Sequence, residues 1–102
     1  MNKQMTLYYI EVYLNNSLQG IYVGVGSKYN IKINGELKAL RNNRHSCNDL
    51  QQVYNQLGIN ALRFVSKETC YPENYVQRKA YHCATLMRKG IRVYNTNIPG
   101  LK

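Results

Sequence analysis

The chain has 102 residues, with 14 Lys and Arg against 5 Asp and Glu, so its formal net charge is +9. This length suits one domain and is too short for two, and a hydrophobic fraction of 44% excludes an intrinsically disordered chain. No apolar run reaches the roughly 20 residues of a membrane span, which excludes one. The sequence also lacks a signal-peptide core and has an odd count of three cysteines, which excludes a secreted disulfide scaffold and predicts a cytoplasmic protein.

The first quarter of the chain predicts a β-hairpin. Residues 6–14 are rich in Tyr, Ile, Val and Leu, which favour the pleated surface of a strand. Residues 15–20 supply Asn, Ser, Gln and Gly and predict a loop of several residues. Residues 21–25 then predict a second strand.

Two helices follow in the predicted order. Apolar residues recur at helical spacing over residues 29–41, although Gly35 inside this stretch costs about 1 kcal/mol relative to Ala. A second helix is predicted to begin at Ser46, with Asp49 three residues later as in a capping box, and to end at Gly58.

The remaining elements are a strand, a helix and an extended end. Residues 61–65 alternate and predict a third strand, residues 91–95 predict a short extended segment, and a loose tail is expected from residue 96. Pro72 and Glu73 suit a helix start. That helix is predicted to bury a stripe made of Val76, Ala80, Cys83 and Met87. The order β-β-α-α-β-α predicts one α+β domain over residues 1–102 with a small, largely antiparallel sheet.

Four stretches, in this order and spacing, resemble the GIY-YIG endonucleases of phages and introns. They are TLY at 6–8, YVG at 22–24, HSCNDLQQVYNQLG at 45–58 and YN at 94–95. The resemblance covers nearly the whole chain. It implies a three-stranded antiparallel sheet flanked by about three helices, and the metal-dependent hydrolysis of DNA phosphodiesters. It also implies that Tyr8, Tyr22 and Asn95 stand at catalytic positions of the family.

At three other catalytic positions the chain departs from the family pattern. Lys32 stands where the resemblance implies a catalytic Arg, Glu36 where homing members often carry His, and Lys79 where it implies the metal-binding Glu. No acidic residue lies between residues 74 and 102. Mg²⁺ prefers oxygen ligands and an ammonium repels it, and Lys lacks the bidentate phosphate geometry of Arg. We therefore expect an inactive site that holds no metal, in which Glu36 forms salt bridges with Lys79 and with Lys32 one helical turn away.

The cysteines and histidines do not form a zinc motif. His45 and Cys47 are two residues apart, and His82 and Cys83 are adjacent on a predicted helix, where neighbours point to different faces. Cys83 lies on the predicted apolar stripe, so we expect it in the core rather than in a metal site.

The positive charge predicts a polyanionic partner, most often nucleic acid. The residues expected to bind its phosphates are Lys28, Lys32, Lys38, Arg41, Arg44, Arg78 and Lys79. Tyrosines outside the signatures are candidates to stack on bases, namely Tyr9, Tyr13, Tyr29, Tyr71, Tyr75 and Tyr81.

Three functions are compatible with these patterns. The first is a degenerate nuclease-like domain, encoded by a phage or mobile element, that binds DNA without cutting it. The second is an active endonuclease with a rearranged site, in which Glu36, Glu68 or Glu73 binds Mg²⁺. The third is a phage-encoded inhibitor that binds a host defence complex, a hypothesis supported only by the 13 asparagines and the Lys-rich composition typical of many AT-rich phage genomes.

Overall fold

A computed structural model describes residues 3–95 of the chain, so the predicted tail from residue 96 lies outside the described residues. The strands are β1 (Met5–Leu14), β2 (Ser17–Gly26) and β3 (Leu62–Cys70); the helices are α1 (Tyr29–Arg41), α2 (Asn48–Leu57) and α3 (Tyr75–Arg88), with a 3₁₀ turn at Ile59–Ala61. The predicted α+β fold is confirmed. No helix within residues 3–95 is long and apolar enough to cross a membrane.

The three strands form one antiparallel sheet in the order β2-β1-β3. Tyr8 of the central strand lies opposite Gly24 on one side and Ser66 on the other. The pairing of β1 with β3 shifts by one residue between Leu7 and Tyr8, which leaves Lys67 without an opposite partner. The three-stranded antiparallel sheet flanked by helices is therefore confirmed.

The hairpin loop is shorter than predicted, so β2 begins at Ser17 instead of residue 21. Only Asn15 and Asn16 separate the strands, with φ of 52° and 65°. Asn tolerates this left-handed conformation, which matches the twist of paired strands, so the predicted loop of several residues is wrong. The third strand also exceeds its predicted range of 61–65, because pairing with the ten-residue β1 extends the polar residues after Val65 as far as Cys70.

Helix α1 has its predicted bounds, whereas the starts of α2 and α3 differ from prediction. Cys47, not Ser46, is the N-cap of α2, and no side-chain capping bond forms. Pro72 and Glu73 lie in a turn before α3, where the carbonyl of Tyr71 accepts the N–H groups of Asn74 and Tyr75. In α2 the N–H of Gln51 donates to the carbonyl of Cys47, whose own N–H donates to the His45 ring, so the helix starts later than the capping pattern predicts.

The sheet is covered on both faces, and the two faces of β1 belong to different cores. Leu7 and Tyr9 pack with Cys83 and Leu86 of α3. Residues Tyr8, Ile10 and Val12 pack on the other face with Leu40 of α1 and Leu50 of α2. Because alternate residues of a strand point to opposite faces, neighbours in β1 enter separate environments.

The buried stripe of α3 is rotated from the predicted one. Cys83 is fully buried as predicted, but Val76 and Met87 are 40% and 46% exposed, and Leu86 is buried instead. Leu86 follows Cys83 at i+3, which keeps both side chains on the face that contacts the sheet. The predicted stripe followed hydrophobicity alone, whereas the helix also directs polar residues toward the sheet.

Residues 91–95 form the predicted extended segment and pair with β2. The N–H of Ile21 donates to the carbonyl of Arg92 at 2.9 Å, and the N–H of Tyr94 donates to the carbonyl of Ile21 at 2.9 Å. The Asn95 side chain continues this pattern on Val23, accepting its N–H at 2.9 Å and donating to its carbonyl at 2.8 Å. The segment therefore covers the outer edge of β2.

Candidate functional site

Two side chains that sequence analysis placed at the resembled site, Tyr8 and Glu36, meet His45 on the helix α1 side of the sheet; the role of His45 there was not predicted. The Tyr8 hydroxyl donates to Oε2 of Glu36 at 2.6 Å, and Nε2 of His45 lies 2.7 Å from Oε1. The backbone N–H of Cys47 donates to Nδ1 of His45 at 2.9 Å, so the ring hydrogen stands on Nε2 and is donated to Glu36. We refer to Tyr8, Glu36 and His45 as the Glu36 cluster.

The Glu36 cluster is buried, and its hydrogen bonds favour a charged carboxylate. Burial raises the pKa of Glu36, but the hydrogen bonds from His45 and Tyr8, with the positive charge of Lys32, outweigh it and lower the pKa below its ordinary value. Burial, followed by the negative charge of Glu36, raises the pKa of Tyr8. Tyr8 is therefore a neutral donor to an ionised carboxylate.

The position of the Tyr8 ring depends on the glycine opposite it. Tyr8 has no exposed surface, and a Cβ atom at Gly24 would lie 2.3 Å from its Cζ atom. Gly24 therefore makes room for the ring in the YVG stretch. The hydroxyl points to Glu36, so Tyr8 offers no surface to a ligand in solution.

The second signature tyrosine borders the cluster. Tyr22 is half-buried and packs edge-on against His45, with ring centroids 5.3 Å apart. Burial, followed by the charge of Glu36, raises the pKa of Tyr22. The late asparagine of the resemblance, Asn95, is occupied by both backbone groups of Val23. Tyr22 therefore keeps some exposed surface, and its hydroxyl forms no hydrogen bond within residues 3–95.

The predicted salt bridge between Glu36 and Lys79 does not form. Glu36 pairs with His45, and within residues 3–95 no carboxylate lies within 4.0 Å of the Lys79 or Lys32 ammonium. His45 lies in the turn after α1 and reaches back to Glu36, whereas Lys79 belongs to α3 on the opposite face of the sheet. Lys32 affects Glu36 only through its charge.

The predicted phosphate-binding residues separate into two surfaces. Five of them are exposed on the α1 side of the sheet: Lys28, Lys32, Lys38, Arg41 and Arg44. Lys28 and Lys32 lie one turn apart at the start of α1, and the other three lie at its end and in the following turn. Arg78 and Lys79 lie on α3, across the sheet. A single continuous surface of all seven is therefore not formed.

A second cluster on the α3 side was not predicted. Nδ1 of His82 lies 2.6 Å from the Tyr9 hydroxyl, and Nε2 lies 2.7 Å from Oε1 of Glu68. Arg78 donates to both oxygens of Glu68, at 2.8 and 2.9 Å. We refer to Tyr9, Glu68, Arg78 and His82 as the Glu68 cluster. Its one sequence signal is the spacing of Arg78 and His82 by one helical turn, which indicates a shared face.

The guanidinium of Arg78 dominates the electrostatics of the Glu68 cluster. Its hydrogen bonds, opposed by partial burial and assisted by His82, lower the pKa of Glu68 to about 2. Hydrogen bonding to Glu68 also raises the pKa of Arg78. Arg78, predicted to bind phosphate, is therefore already engaged by a carboxylate.

The donor set does not fit a divalent cation. Within residues 3–95, which contain every carboxylate side chain of the protein, no group of three or more His, Cys, Asp or Glu side chains could hold a metal. Both oxygens of Glu36 and both of Glu68 accept hydrogen bonds. The three cysteines are buried, and the Cys47 thiol donates to the carbonyl of Tyr94. A cation at either glutamate would have to displace these donors.

Comparison with known proteins identifies the fold. No protein-family model and no curated protein matches the sequence. Among solved structures, the chain is similar to the catalytic domain of the intron endonuclease I-TevI, solved as a Glu-to-Ala mutant, with a TM-score of 0.79 and 23% identity. The similarity covers 97% of this chain and 99% of that domain. The chain therefore has a GIY-YIG-like fold.

Proposed function

We propose that this chain is a nuclease-like domain that binds nucleic acid, in the first instance DNA, through the phosphate backbone and does not cleave it. The observation that carries the proposal is the Glu36 cluster, in which an internal carboxylate takes the hydrogen bonds of Tyr8 and His45. The contacts to phosphate come from the exposed basic residues on the α1 side.

The absence of cleavage follows from the chemistry of this cluster. Metal-assisted hydrolysis of a phosphodiester needs donors around the phosphate and carboxylate oxygens free to hold the cation. Here Tyr8 and His45 donate to Glu36, whose buried negative charge would repel a phosphate at the same place. An ammonium, Lys79, stands where the resemblance implies the metal-binding carboxylate. The hydrogen-bond donors are therefore occupied, the cation lacks its carboxylate ligand, and the local negative charge repels the substrate phosphate.

The capacity to bind rests on cations that have no partner in the described structure. None of the five basic residues on the α1 side forms an ion pair within residues 3–95. The chain also has a net charge of +9. Each phosphate neutralised by such a residue releases condensed counterions. A plot of the logarithm of the binding constant against the logarithm of the salt concentration should therefore have a slope of about −0.9 per phosphate.

The test combines cleavage and binding in one experiment. Purified protein is incubated with supercoiled plasmid in Mg²⁺, Mn²⁺ or EDTA, and binding to a labelled DNA fragment is titrated at several salt concentrations. We expect intact, retarded plasmid under all three conditions. Lys32→Gln should weaken binding and reduce the salt slope by about 1. Lys89→Gln is the matched control, since this exposed lysine follows α3 and leaves the α1 side unchanged.

Two other results would replace the proposal. Nicked or linear plasmid that needs a divalent cation would establish the rearranged endonuclease. Glu73 would then be the first residue to substitute, because among the carboxylates it makes no hydrogen bond or ion pair within residues 3–95. Intact plasmid with no retardation would instead favour a protein partner such as a host defence complex, to be sought by pull-down from nuclease-treated lysate.

A further inference from the structure

The α3 side of the sheet carries a linked set of cations and aromatic rings. The Arg78 guanidinium lies 4.5 Å from the centre of the Tyr81 ring, and the Lys67 ammonium lies 4.9 Å from that of Tyr9. The His82 ring packs edge-on against both tyrosines, with centroids 5.6 and 5.8 Å away. These side chains form one continuous surface that joins β3 to α3.

The same pattern recurs farther along the sheet. The Arg63 guanidinium lies 4.9 Å from the centre of the Tyr13 ring, and the Tyr13 hydroxyl donates to Glu11. Tyr13 follows Tyr9 by four residues in β1, which corresponds to about 13 Å along a strand. We refer to Tyr13, Arg63, Lys67, Arg78 and Tyr81 as the Tyr81 surface.

Three members of the Tyr81 surface are open to solvent, whereas Tyr13 and Arg78 are half-buried and Arg78 is held in place. Tyr81 is 52% exposed, and Arg63 and Lys67 are exposed. Arg78 is fixed by its two hydrogen bonds to Glu68, so its planar guanidinium is pre-ordered beside the Tyr81 ring. An ordered aromatic ring contributes contact area to a ligand at a low cost in conformational entropy.

The charges of the surface favour an anionic partner. Arg63 and Lys67 form no ion pair within residues 3–95, while the negative charge of Glu68 is balanced by Arg78. Glu11, opposite Arg63 in the sheet, places a second carboxylate on this face. In surfaces that bind single-stranded nucleic acid, unpaired cations contact the phosphates and aromatic rings between them stack on the bases.

We infer that the Tyr81 surface binds single-stranded nucleic acid. One base would stack on the pair formed by Tyr81 and Arg78, another on the pair formed by Tyr13 and Arg63, and a phosphate would lie near Lys67. A duplex suits this surface less well, because its bases are already stacked on one another and no element here projects into a groove. The inference rests on the proposed function and adds a second contact area on the opposite face of the sheet.

The test measures fluorescence anisotropy of labelled oligothymidylate and oligouridylate of about 10 nucleotides, a length within the site sizes of such surfaces. A labelled DNA duplex of the same length is the reference. We expect Tyr81→Leu to weaken single-strand binding at least about fivefold and Tyr81→Phe to retain it, because the ring does the stacking. Binding of the duplex should change less than twofold in either variant. Circular dichroism melting checks that both variants fold.

Each outcome decides between the two proposals. If folded Tyr81→Leu binds single strands as the wild type does while Lys32→Gln binds DNA more weakly, the inference about the Tyr81 surface is overturned and the proposed function stands. Equal losses for duplex and single strand in Tyr81→Leu would also overturn it. No binding of any nucleic acid by the wild-type chain would overturn both proposals. Comparing the two oligonucleotides shows whether DNA or RNA is preferred.

Discussion

Tyr8 and Tyr9 are neighbours in the central strand, yet each hydroxyl bonds to a different histidine–carboxylate cluster on a different face of the sheet. In the Glu36 cluster the tyrosine contacts the carboxylate directly, and the histidine contacts its other oxygen. In the Glu68 cluster the histidine lies between the tyrosine and the carboxylate, and an arginine completes the set.

The difference shows how burial decides the way in which a negative charge is held. Glu36 is 8% exposed and is stabilised chiefly by hydrogen bonds from a tyrosine and a histidine. Glu68 lies nearer the solvent and pairs with a guanidinium whose side chain is 38% exposed. Removing a donor or acceptor from the buried cluster leaves a polar group that water cannot reach, whereas water can replace a lost partner at the surface.

The substitution Glu36→Gln should give the largest effect. A glutamine has one acceptor oxygen for the two donors, Tyr8 and His45, so a buried hydrogen-bonding group loses its partner. We expect the free energy of unfolding to fall by about 2–3 kcal/mol. Urea denaturation measures it, with Glu68→Gln, expected to cost about 1 kcal/mol, as the comparison. Equal losses would show that burial does not distinguish the two clusters.

Crowding the Tyr8 ring should disturb the Glu36 cluster alone. In Gly24→Ala the new Cβ atom would meet the ring at 2.3 Å, and overpacking of this kind costs about 1–3 kcal/mol. Gly35→Ala is the matched control, because nothing lies within 4 Å of its Cβ position and a helical alanine should stabilise by up to about 1 kcal/mol. Thermal melting of both variants checks the opposite signs; a neutral Gly24→Ala would contradict the close packing of Tyr8.

Acid should weaken the Glu68 cluster by a smaller amount. The folded pKa of Glu68, about 2, is below the ordinary value of 4.5, so its stabilisation is present above pH 4.5 and is lost as the pH falls toward 2. Because Arg78 is partly exposed, we expect a contribution of about 1 kcal/mol. Urea denaturation between these pH values should show a steeper loss in the wild type than in Glu68→Gln. Parallel curves would exclude the ion pair as a source of stability.

Much of the fold could be predicted because its signals are local. Helix α1 is marked by helical periodicity and the first strand by a local run of β-favouring residues. The bounds of β3 could not be predicted, since its polar second half is extended by pairing with β1 rather than by its own side chains. The predicted cap of α2 was wrong for a related reason, because the N–H of Cys47 donates to the ring of His45 and its carbonyl accepts the N–H of Gln51.

The candidate site divides in the same way. Sequence alone determined that the stretch forming α3 has no carboxylate and that positions 32 and 79 are lysines, because residue identity needs no folding. Only the tertiary structure decided that Glu36 pairs with His45 instead of Lys79, that Asn95 bonds to the backbone of Val23, and that Tyr9 reaches His82 from 73 residues away. Such contacts depend on which face of the sheet each helix covers, and no short-range pattern in the chain carries that information.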